Sequence, residues 1–256
     1  MKVLLTLRPE TAGAVIPINY QYELSAWIYR VIARADEAYA TFLHEQGFRT
    51  GKKSFKFFTF SQLDVPRRAV EGDRLRILSD TVRLKISFLL DAAAEHFIVG
   101  LFKGQRMELA DRRSRAAFQV TQVDVLAPAP AVSVLRLRTL SPLVVGRKNT
   151  LGHDDYLSPE DADFPKLLLE NLVDKYRAAY PDSAVPEEAI HFRLLRFHPR
   201  PSKLITIKAG TPEETRVKGY LFDFELSGPS EVLETGLLAG FGKYCSQGFG
   251  MGERIS

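Results

Sequence analysis

The sequence predicts an α+β protein made of two tandem ferredoxin-like (RRM-like, βαββαβ) domains. Its 256 residues are enough for two domains of about 125 residues each. The order strand, helix, strands, helix, strand occurs twice, which is the split β-α-β arrangement of this fold. Between the two series lies LAPAPAVS (126–133), a linker candidate because it combines two prolines with small residues. We therefore predict domains over 1–126 and 127–256.

In the first half, the strongest evidence comes from a helix with one buried stripe. Leu24, Ile28, Val31 and Ile32 recur at helical spacing. A second helix is predicted to begin after Asp36, an N-cap residue, and to stop at Gly47. The predicted elements are a strand at 2–8, helices at 21–35 and 36–46, a strand at 54–63, a hairpin of 75–78 with 82–88, a helix at 91–102, and strands at 106–109 and 116–126.

The second half repeats this order without repeating the sequence. Its clearest element is the amphipathic segment FPKLLLENLVDKYRAAY (164–180), which predicts a helix. The other predicted elements are strands at 133–140, 190–197, 203–208 and 217–226, and a helix at 230–239. Strand, helix, strands, helix and strand thus follow one another again, so the second half is predicted to adopt the same fold.

The composition excludes several classes of protein. A single cysteine, Cys245, rules out an intramolecular disulfide and a cysteine-rich zinc cluster. No stretch approaches the roughly 18 apolar residues that span a bilayer, and MKVLLTLRPE predicts a first strand rather than a signal peptide. We expect a cytoplasmic protein without membrane contact. The net charge of +4 favours an anionic partner without proving one.

A glycine-rich loop near the C-terminus is the strongest local signal. Five glycines fall within residues 240–252, directly after a predicted helix. Such a loop can present backbone N–H groups to phosphates, although its spacing is neither a P-loop nor a dinucleotide-binding fingerprint. A tight structural turn before the last strand explains the glycines equally well. Both interpretations stay open on the sequence.

A second signal is a tyrosine, a histidine and a lysine in the first half. At about 100° per residue, Tyr29 lies roughly 120° from the centre of its helix's apolar stripe, and His44 is similarly displaced from the stripe of its own helix. His44 falls in the last helical turn, where the carbonyl ends favour imidazolium, as a general acid requires. An ordinary surface histidine remains the alternative. The lysine is one of Lys52, Lys53 and Lys56.

Basic residues lie along the predicted strands and their flanks. They either track a nucleic-acid backbone or form solvated outer faces. They are Arg74, Arg76, Arg83, Lys85, Arg112, Arg113, Arg115, Arg136, Arg138, Arg147 and Lys148. The run His153-Asp154-Asp155 could hold a metal ion but has no second cluster beside it. We predict no metal site and no cofactor.

Five stretches of the chain resemble a known family, the CRISPR-associated endoribonucleases of the RAMP superfamily that process long repeat transcripts. The stretches are NYQYELSAWIY (19–29), FLHEQGF (42–48), FKFFTFSQL (55–63), LSPLVV (140–145) and GLLAGFGKYCSQGFGMG (236–252). The last is the family's most specific motif. The resemblance implies two ferredoxin-like domains and metal-independent cleavage by the ribose 2′-OH, leaving 2′,3′-cyclic phosphate and 5′-OH ends.

The resemblance also implies site residues and partners. By motif position, Tyr29, His44 and Lys56 match the catalytic trio, with Lys52 or Lys53 as substitutes for the lysine. The predicted partner is CRISPR repeat RNA, and other CRISPR-associated subunits and a homodimer are further candidates. RNA contacts are expected at Lys52, Lys53, Arg112, Arg113, Arg115, Lys148, Lys243, Gly248, Phe249 and Gly250. The alternatives are a non-cutting RNA-binding RAMP subunit and an unrelated RRM-like binder, for which no RNP1 pattern is present.

Overall fold

A computed structural model describes residues 1–128, 130–150, 152, 154–184 and 189–255 of the chain. The elements of the first half are β1 (Lys2–Pro9), β2 (Val15–Pro17), α1 (Gln21–Ala35), α2 (Glu37–Glu45), β3 (Phe48–Thr50), β4 (Lys53–Phe55), β5 (Phe58–Phe60), β6 (Arg68–Glu71), β7 (Arg74–Ile77), β8 (Val82–Phe88), α3 (Asp91–Lys103), β9 (Arg106–Ala110) and β10 (Arg115–Leu126). Those of the second half are β11 (Val134–Thr139), β12 (Gly146–Lys148), β13 (Asp154–Tyr156), α4 (Phe164–Ala179), β14 (His191–Ile207), β15 (Thr215–Ser227), α5 (Ser230–Ala239) and β16 (Gly252–Arg254).

The N-terminal domain is an antiparallel sheet in the order β5-β8-β1-β10-β9. The first four strands, with α1 and α3, have the ferredoxin-like order, and β9 extends the edge beside β10. Alternate residues Val3, Leu5 and Leu7 of the central strand are fully buried, as a sheet covered on one face requires. Trp27 of α1 meets Phe97 of α3 edge to face above this surface.

The C-terminal domain repeats the arrangement with the sheet order β14-β15-β11-β16 and the helices α4 and α5. Phe222 and Phe224 of β15 are fully buried and pack with Phe164, the first residue of α4. The prediction of two tandem ferredoxin-like folds is therefore confirmed. The predicted boundary at 126/127 falls where β10 ends, before β11 begins at Val134.

The predicted hairpin of 75–78 with 82–88 is wrong. β7 pairs instead with β2 and β6 in a small separate sheet. β8 lies between β1 and β5. A strand has only two hydrogen-bonding edges, so both edges of β8 are occupied and β7 must find other partners.

Two predicted strands also change their extent. The strand at 54–63 is interrupted after Phe55, because Phe57 has a positive φ of 54° that no strand accommodates. The strands at 190–197 and 203–208 are instead one long strand, β14, whose pairing with β15 is irregular between Phe197 and Ser202. Arg200, between two prolines, has a φ of 53° there.

The helix boundaries near the site follow local rules. Asp36 caps α2, since its carboxylate accepts a hydrogen bond from the N–H of Tyr39 at 2.8 Å. Gly47 ends the helix with a φ of 63°, and its N–H donates to the carbonyl of Phe42 at 2.8 Å. Both predicted boundary residues are confirmed.

No helix in the described ranges is both long and apolar enough to cross a membrane.

The closest approach of α1 to α3 supplies a stability prediction. A Cβ on Gly100 would lie 1.8 Å from the carbonyl oxygen of Val31, so Gly100→Ala must push the two helices apart. We expect a free energy of unfolding lower by about 1–3 kcal/mol, measured by urea denaturation. The control is Val99→Ala, one residue away on the exposed face, expected to change stability by no more than about 0.5 kcal/mol. Equal effects of the two substitutions would contradict the prediction.

Candidate active site between the two domains

Tyr29 and His44 meet at the junction of the first two helices. Their ring centroids are 5.0 Å apart and the rings are nearly perpendicular, the edge-to-face geometry that aromatic pairs prefer. Asp36 turns the chain between α1 and α2, which brings the two side chains together from separate helices. His44 is exposed at the surface, and Tyr29 is half-buried beneath it against Phe58. The imidazole is therefore accessible to a bound molecule.

The phenol of Tyr29 is held in its protonated form. Burial raises its pKa to about 12, and interaction with the Ser246 side chain opposes that shift only in part. Ser246 belongs to the glycine-rich loop, and its carbonyl accepts a hydrogen bond from the Ser25 hydroxyl at 2.7 Å. The loop of the C-terminal domain thus contacts α1 of the N-terminal domain beside the candidate site. A protonated phenol at this place can position an oxygen but is a poor base.

Among the three candidate lysines, the structure favours Lys56. Its side chain packs against Gly47, the residue that ends α2. A Cβ added at Gly47 would lie 3.0 Å from the Lys56 Nζ. Burial, and then the positive charge of Arg49, lowers the pKa of this ammonium. Lys53 instead forms an ion pair with Asp174, and Lys52 is exposed. Lys56 is thus the candidate lysine that packs at the C-terminal end of α2, the helix that carries His44.

A cleft of about 580 Å³ opens beside these residues, between the two domains. Lys56, Phe58 and Ser246 line it, whereas Tyr29 and His44 do not. Phe58 and Ser246 each contact Tyr29, so that side chain lies directly behind the cleft wall. Its cationic lining side chains are Lys53, Lys56, Arg147, Lys148, Lys175 and Lys243, against the carboxylates Asp154 and Glu170. The excess of positive charge suits an anionic ligand such as a phosphodiester chain.

The glycine-rich loop folds into the domain junction. Gly248, Phe249 and Gly250 are all buried, and Phe249 is 0% exposed. A Cβ on Gly248 would lie 2.6 Å from the Phe60 ring, and one on Gly250 would lie 1.9 Å from the Phe241 carbonyl oxygen. This burial argues against the RNA contacts expected of the three residues. The structural interpretation of these glycines applies, because close packing and positive φ leave no room for side chains.

Lys175 of α4 supports the loop, and the sequence analysis missed it. Its ammonium donates to the carbonyls of Gly240 at 2.6 Å and Gly242 at 2.9 Å, and lies 3.1 Å from the Cys245 Sγ. The side chain is only 3% exposed. A signal was present, because residue 175 falls three after Leu172, on the buried stripe of the helix. A lysine on that stripe indicates a buried ammonium with specific acceptors.

The remaining predicted RNA contacts lie on two parts of the surface. Arg112, Arg113 and Arg115 lie in or beside the exposed turn between β9 and β10, and do not line the cleft. Arg113 pairs with Asp73 and Arg115 with Glu108.

On the cleft side, Lys148 and Lys243 share one carboxylate. Their ammonium groups lie 3.0 and 3.2 Å from Asp154, which also accepts a hydrogen bond from the Tyr244 hydroxyl at 3.0 Å. These contacts lower the pKa of Asp154 against the effect of burial. Of the residues first weighed as a metal-binding run, His153 lies outside the described residues, and Asp154 is engaged by cations. Within the described ranges, no group of three metal-ligating side chains comes together.

The alternating arginines of the second sheet pair with carboxylates on the neighbouring strand. Arg136 contacts Glu225, and Arg138 contacts Asp223 at 3.1 Å. Arg196 and His198 also converge on Asp223. These partners hold the pKa of Asp223 well below its usual range although burial raises it. The predicted alternation on one strand face is thus present, and much of its charge is balanced within the protein.

Two family models match the chain in succession. Residues 15–123 match "CRISPR-associated protein Cas6, N-terminal" and residues 128–253 match "CRISPR associated protein Cas6, C-terminal". Together they include the candidate trio and the glycine-rich loop.

Individual proteins are similar over nearly the whole length. "CRISPR-associated endoribonuclease Cas6 1" of Methanocaldococcus jannaschii is 27% identical over 98% of this chain and 91% of its own. A solved structure described as "Characterization of a Cas6-related gene from Pyrococcus furiosus" has a TM-score of 0.84 at 24% identity, covering 100% of this chain and 98% of its own. Another, described as "An RAMP protein binding different RNA substrates", has a TM-score of 0.82 at 23% identity and covers 100% of both chains. Both structural likenesses concern the fold.

The support that Lys175 gives the loop is testable through the single cysteine. Lys175→Met leaves the carbonyls of Gly240 and Gly242 without their donor. That loss costs about 1–3 kcal/mol, which raises the opening of the loop by roughly 5- to 150-fold. We expect the thiol of Cys245, buried in the native state, to react correspondingly faster with a thiol reagent. Lys166→Met, on the exposed face of α4, is the control and should react like the native protein. Unchanged reactivity of a folded Lys175→Met variant would exclude the support role.

Proposed function

Since this chain belongs to the Cas6 family of CRISPR-associated proteins, we propose that it is a metal-independent endoribonuclease that cuts CRISPR repeat transcripts into guide RNAs. The observation that carries the proposal is the contact of Tyr29 with His44, beside a cationic cleft that Lys56 lines. An imidazole can act as a proton donor, a phenol can position an oxygen and an ammonium can stabilise negative charge in cleavage of RNA by its own hydroxyl. The cleft supplies the charge that attracts the phosphodiester chain.

The proposed chemistry uses the ribose 2′-OH upstream of the scissile bond. The 2′-oxygen attacks the adjacent phosphorus while the 2′-OH proton passes to solvent, a new 2′-O–P bond forms, and the P–O5′ bond breaks. His44, in the last turn of α2, gives a proton to the leaving 5′-oxygen as general acid. The products are a 2′,3′-cyclic phosphate and a free 5′-OH.

Tyr29 and Lys56 support this step in different ways. The raised pKa of Tyr29 keeps its hydroxyl protonated, so the phenol holds the 2′-OH or a phosphate oxygen in line for attack rather than removing a proton. In-line positioning lowers the barrier by restricting the reacting groups before the chemical step. The ammonium of Lys56 stabilises the charge that develops on the pentacoordinate phosphate, a preorganised electrostatic role.

A non-cutting RNA-binding subunit of the same superfamily is the alternative, and activity separates the two. The exposure of His44 favours cleavage, because a proton donor must reach a substrate oxygen. Assembly with other CRISPR-associated subunits, a homodimer and the cytoplasmic location stay predictions. Analytical ultracentrifugation with and without repeat RNA tests the first two.

The first functional prediction concerns the cut itself. Labelled repeat RNA should be cleaved at one position in EDTA, leaving 2′,3′-cyclic phosphate and 5′-OH ends, and a single 2′-deoxy substitution at that position should abolish cleavage. His44→Ala should lower the single-turnover rate by roughly 10²- to 10⁴-fold, the usual contribution of a general acid. His191→Ala, an exposed histidine on β14, should cleave at the native rate.

Three results would contradict this proposal. They are intact RNA after prolonged incubation with the folded native protein, cleavage of the 2′-deoxy RNA, and equal rates for His44→Ala and the native chain. The first of them, together with tight binding, establishes the non-cutting alternative.

The second functional prediction concerns the role of Tyr29. With a pKa of about 12, its phenol stays protonated between pH 6 and 9, so its titration cannot shape the activity profile in that range. Tyr29→Phe should lower the cleavage rate by about tenfold through loss of one positioning hydrogen bond, with the pH of maximal rate unchanged. A Tyr29→Phe profile that loses its basic-side or acidic-side limb would instead identify the phenol as a titrating catalyst.

A further inference from the structure

The α4 side of the cleft forms a recess that the proposed cleavage step does not use. Leu167, Asn171 and Lys175 follow one another at intervals of four residues, so they share one face of α4, and all three line the cleft. Opposite them lie Val144 and, from the glycine-rich loop, Tyr244. We refer to the space between these five residues as the α4 recess. Leu167 and Val144 are its apolar members, and it belongs to the same cleft that Lys56 lines.

Asn171 carries a polar atom without a partner in this recess. Its Oδ1 is buried and accepts no hydrogen bond within the described part of the chain. Buried polar groups are almost always paired, so an orphan needs an explanation. Asn171 lines the cleft and lies one helical turn from Lys175, whose ammonium contacts the Gly242 carbonyl. A ligand that supplies the missing donor is one such explanation.

Tyr244 offers an aromatic face in the same recess. Its backbone adopts a left-handed conformation with φ 60° and ψ 28°, which is unfavourable for a residue with a large side chain. The phenol is fixed by its hydrogen bond to Asp154 at 3.0 Å, and the ring is half-buried. Phe57, on the facing N-terminal wall, has a positive φ of 54° as well. Strained residues concentrate at ligand-binding sites, and here two of them border one cleft.

The charges and dimensions of the cleft narrow the class of ligand. Cations outnumber carboxylates six to two among its lining residues, and its volume of about 580 Å³ is that of a site for a small molecule. An aromatic face, an amide oxygen without a partner and cationic side chains match the three parts of a nucleotide. They match its π-face, the hydrogen-bonding edge of its base and its phosphate.

We propose that the α4 recess holds one unpaired nucleotide of the substrate RNA, immediately next to the scissile phosphate. Its base stacks on Tyr244, the amide of Asn171 hydrogen-bonds the base edge, and its phosphate lies at the Lys56 end of the cleft. This assignment rests on the proposed function, because it places the scissile phosphate at the trio. It makes Asn171 and Tyr244 the residues that select the base beside the cut.

The test couples protein variants to single abasic sites in the RNA. Repeat RNA carries a 2′-deoxy residue at the cut site, so that binding is measured without cleavage, and one abasic nucleotide is moved through the positions on either side. For the native chain we expect one position within two nucleotides of the cut at which the abasic RNA binds about tenfold more weakly. Asn171→Leu and Tyr244→Ala should weaken binding of the intact RNA by about three- to tenfold. With the abasic nucleotide at that one position, neither variant should bind more weakly than it binds the intact RNA.

Gln105→Leu, an exposed amide far from the cleft, is the matched control and should respond to every abasic site as the native chain does. Additive losses at all positions, or no position sensitive in the native chain, would overturn the proposal. The readout separates it from the proposed function. If the variants and the abasic site are coupled in binding but the native chain cuts no RNA, the recess binds a base and the proposed nuclease activity is refuted. If the native chain cuts RNA but no such coupling is seen, the nuclease activity stands and the recess proposal is refuted. Circular dichroism on each variant identifies loss of folding.

Discussion

The buried ammonium of Lys175 holds the junction of the two domains in one shape. On folding, the ammonium exchanges its hydrogen bonds to water for contacts with two carbonyl oxygens and one sulfur. Within the described part of the chain, no carboxylate lies among its hydrogen-bond partners. Burying a charge is costly unless every proton finds an acceptor, so the loop can take only conformations that keep these acceptors in place. The glycines make such a conformation available, because several of them have positive φ and would clash if they carried a Cβ.

The candidate site inherits its geometry from that loop. Thr59 of β5 donates to the Phe249 carbonyl at 2.9 Å, which ties the loop to the N-terminal sheet. Ser246 lies beside Tyr29, and Ser25 holds Ser246 from α1. The C-terminal domain thus supplies the glycine-rich loop that packs beside the site. The N-terminal domain supplies the candidate residues Tyr29, His44 and Lys56. A nuclease that cuts by precise alignment of a ribose hydroxyl needs such a rigid frame more than it needs strong acids or bases.

The charge distribution shows why the composition indicated its anionic partner only weakly. Many of the cations on the sheet face and in the cleft already contact carboxylates of the protein, as Arg138 contacts Asp223 and Lys148 contacts Asp154. At long range, the neighbouring carboxylates cancel the electric field of these cations. At close range, a phosphate that displaces a carboxylate can still pair with the cation. A net charge of +4 is therefore compatible with a nucleic-acid site, because local arrangement decides the potential that a bound strand meets.

The sequence by itself determined the positions of α1 to α5, the two ferredoxin-like domains and the residue types of the candidate trio. The apolar stripes of helices, caps such as Asp36 and turn glycines such as Gly47 are local properties. They can therefore be predicted from a short stretch of sequence. Only the tertiary structure decided that β7 leaves β8, that Lys56 packs against Gly47 whereas Lys53 pairs with Asp174, and that Phe249 is buried. Each of these outcomes depends on partners distant in sequence; Thr59 and Phe249, for example, are 190 residues apart. Periodicity reveals which face of an element is buried, whereas packing against distant residues decides what covers it.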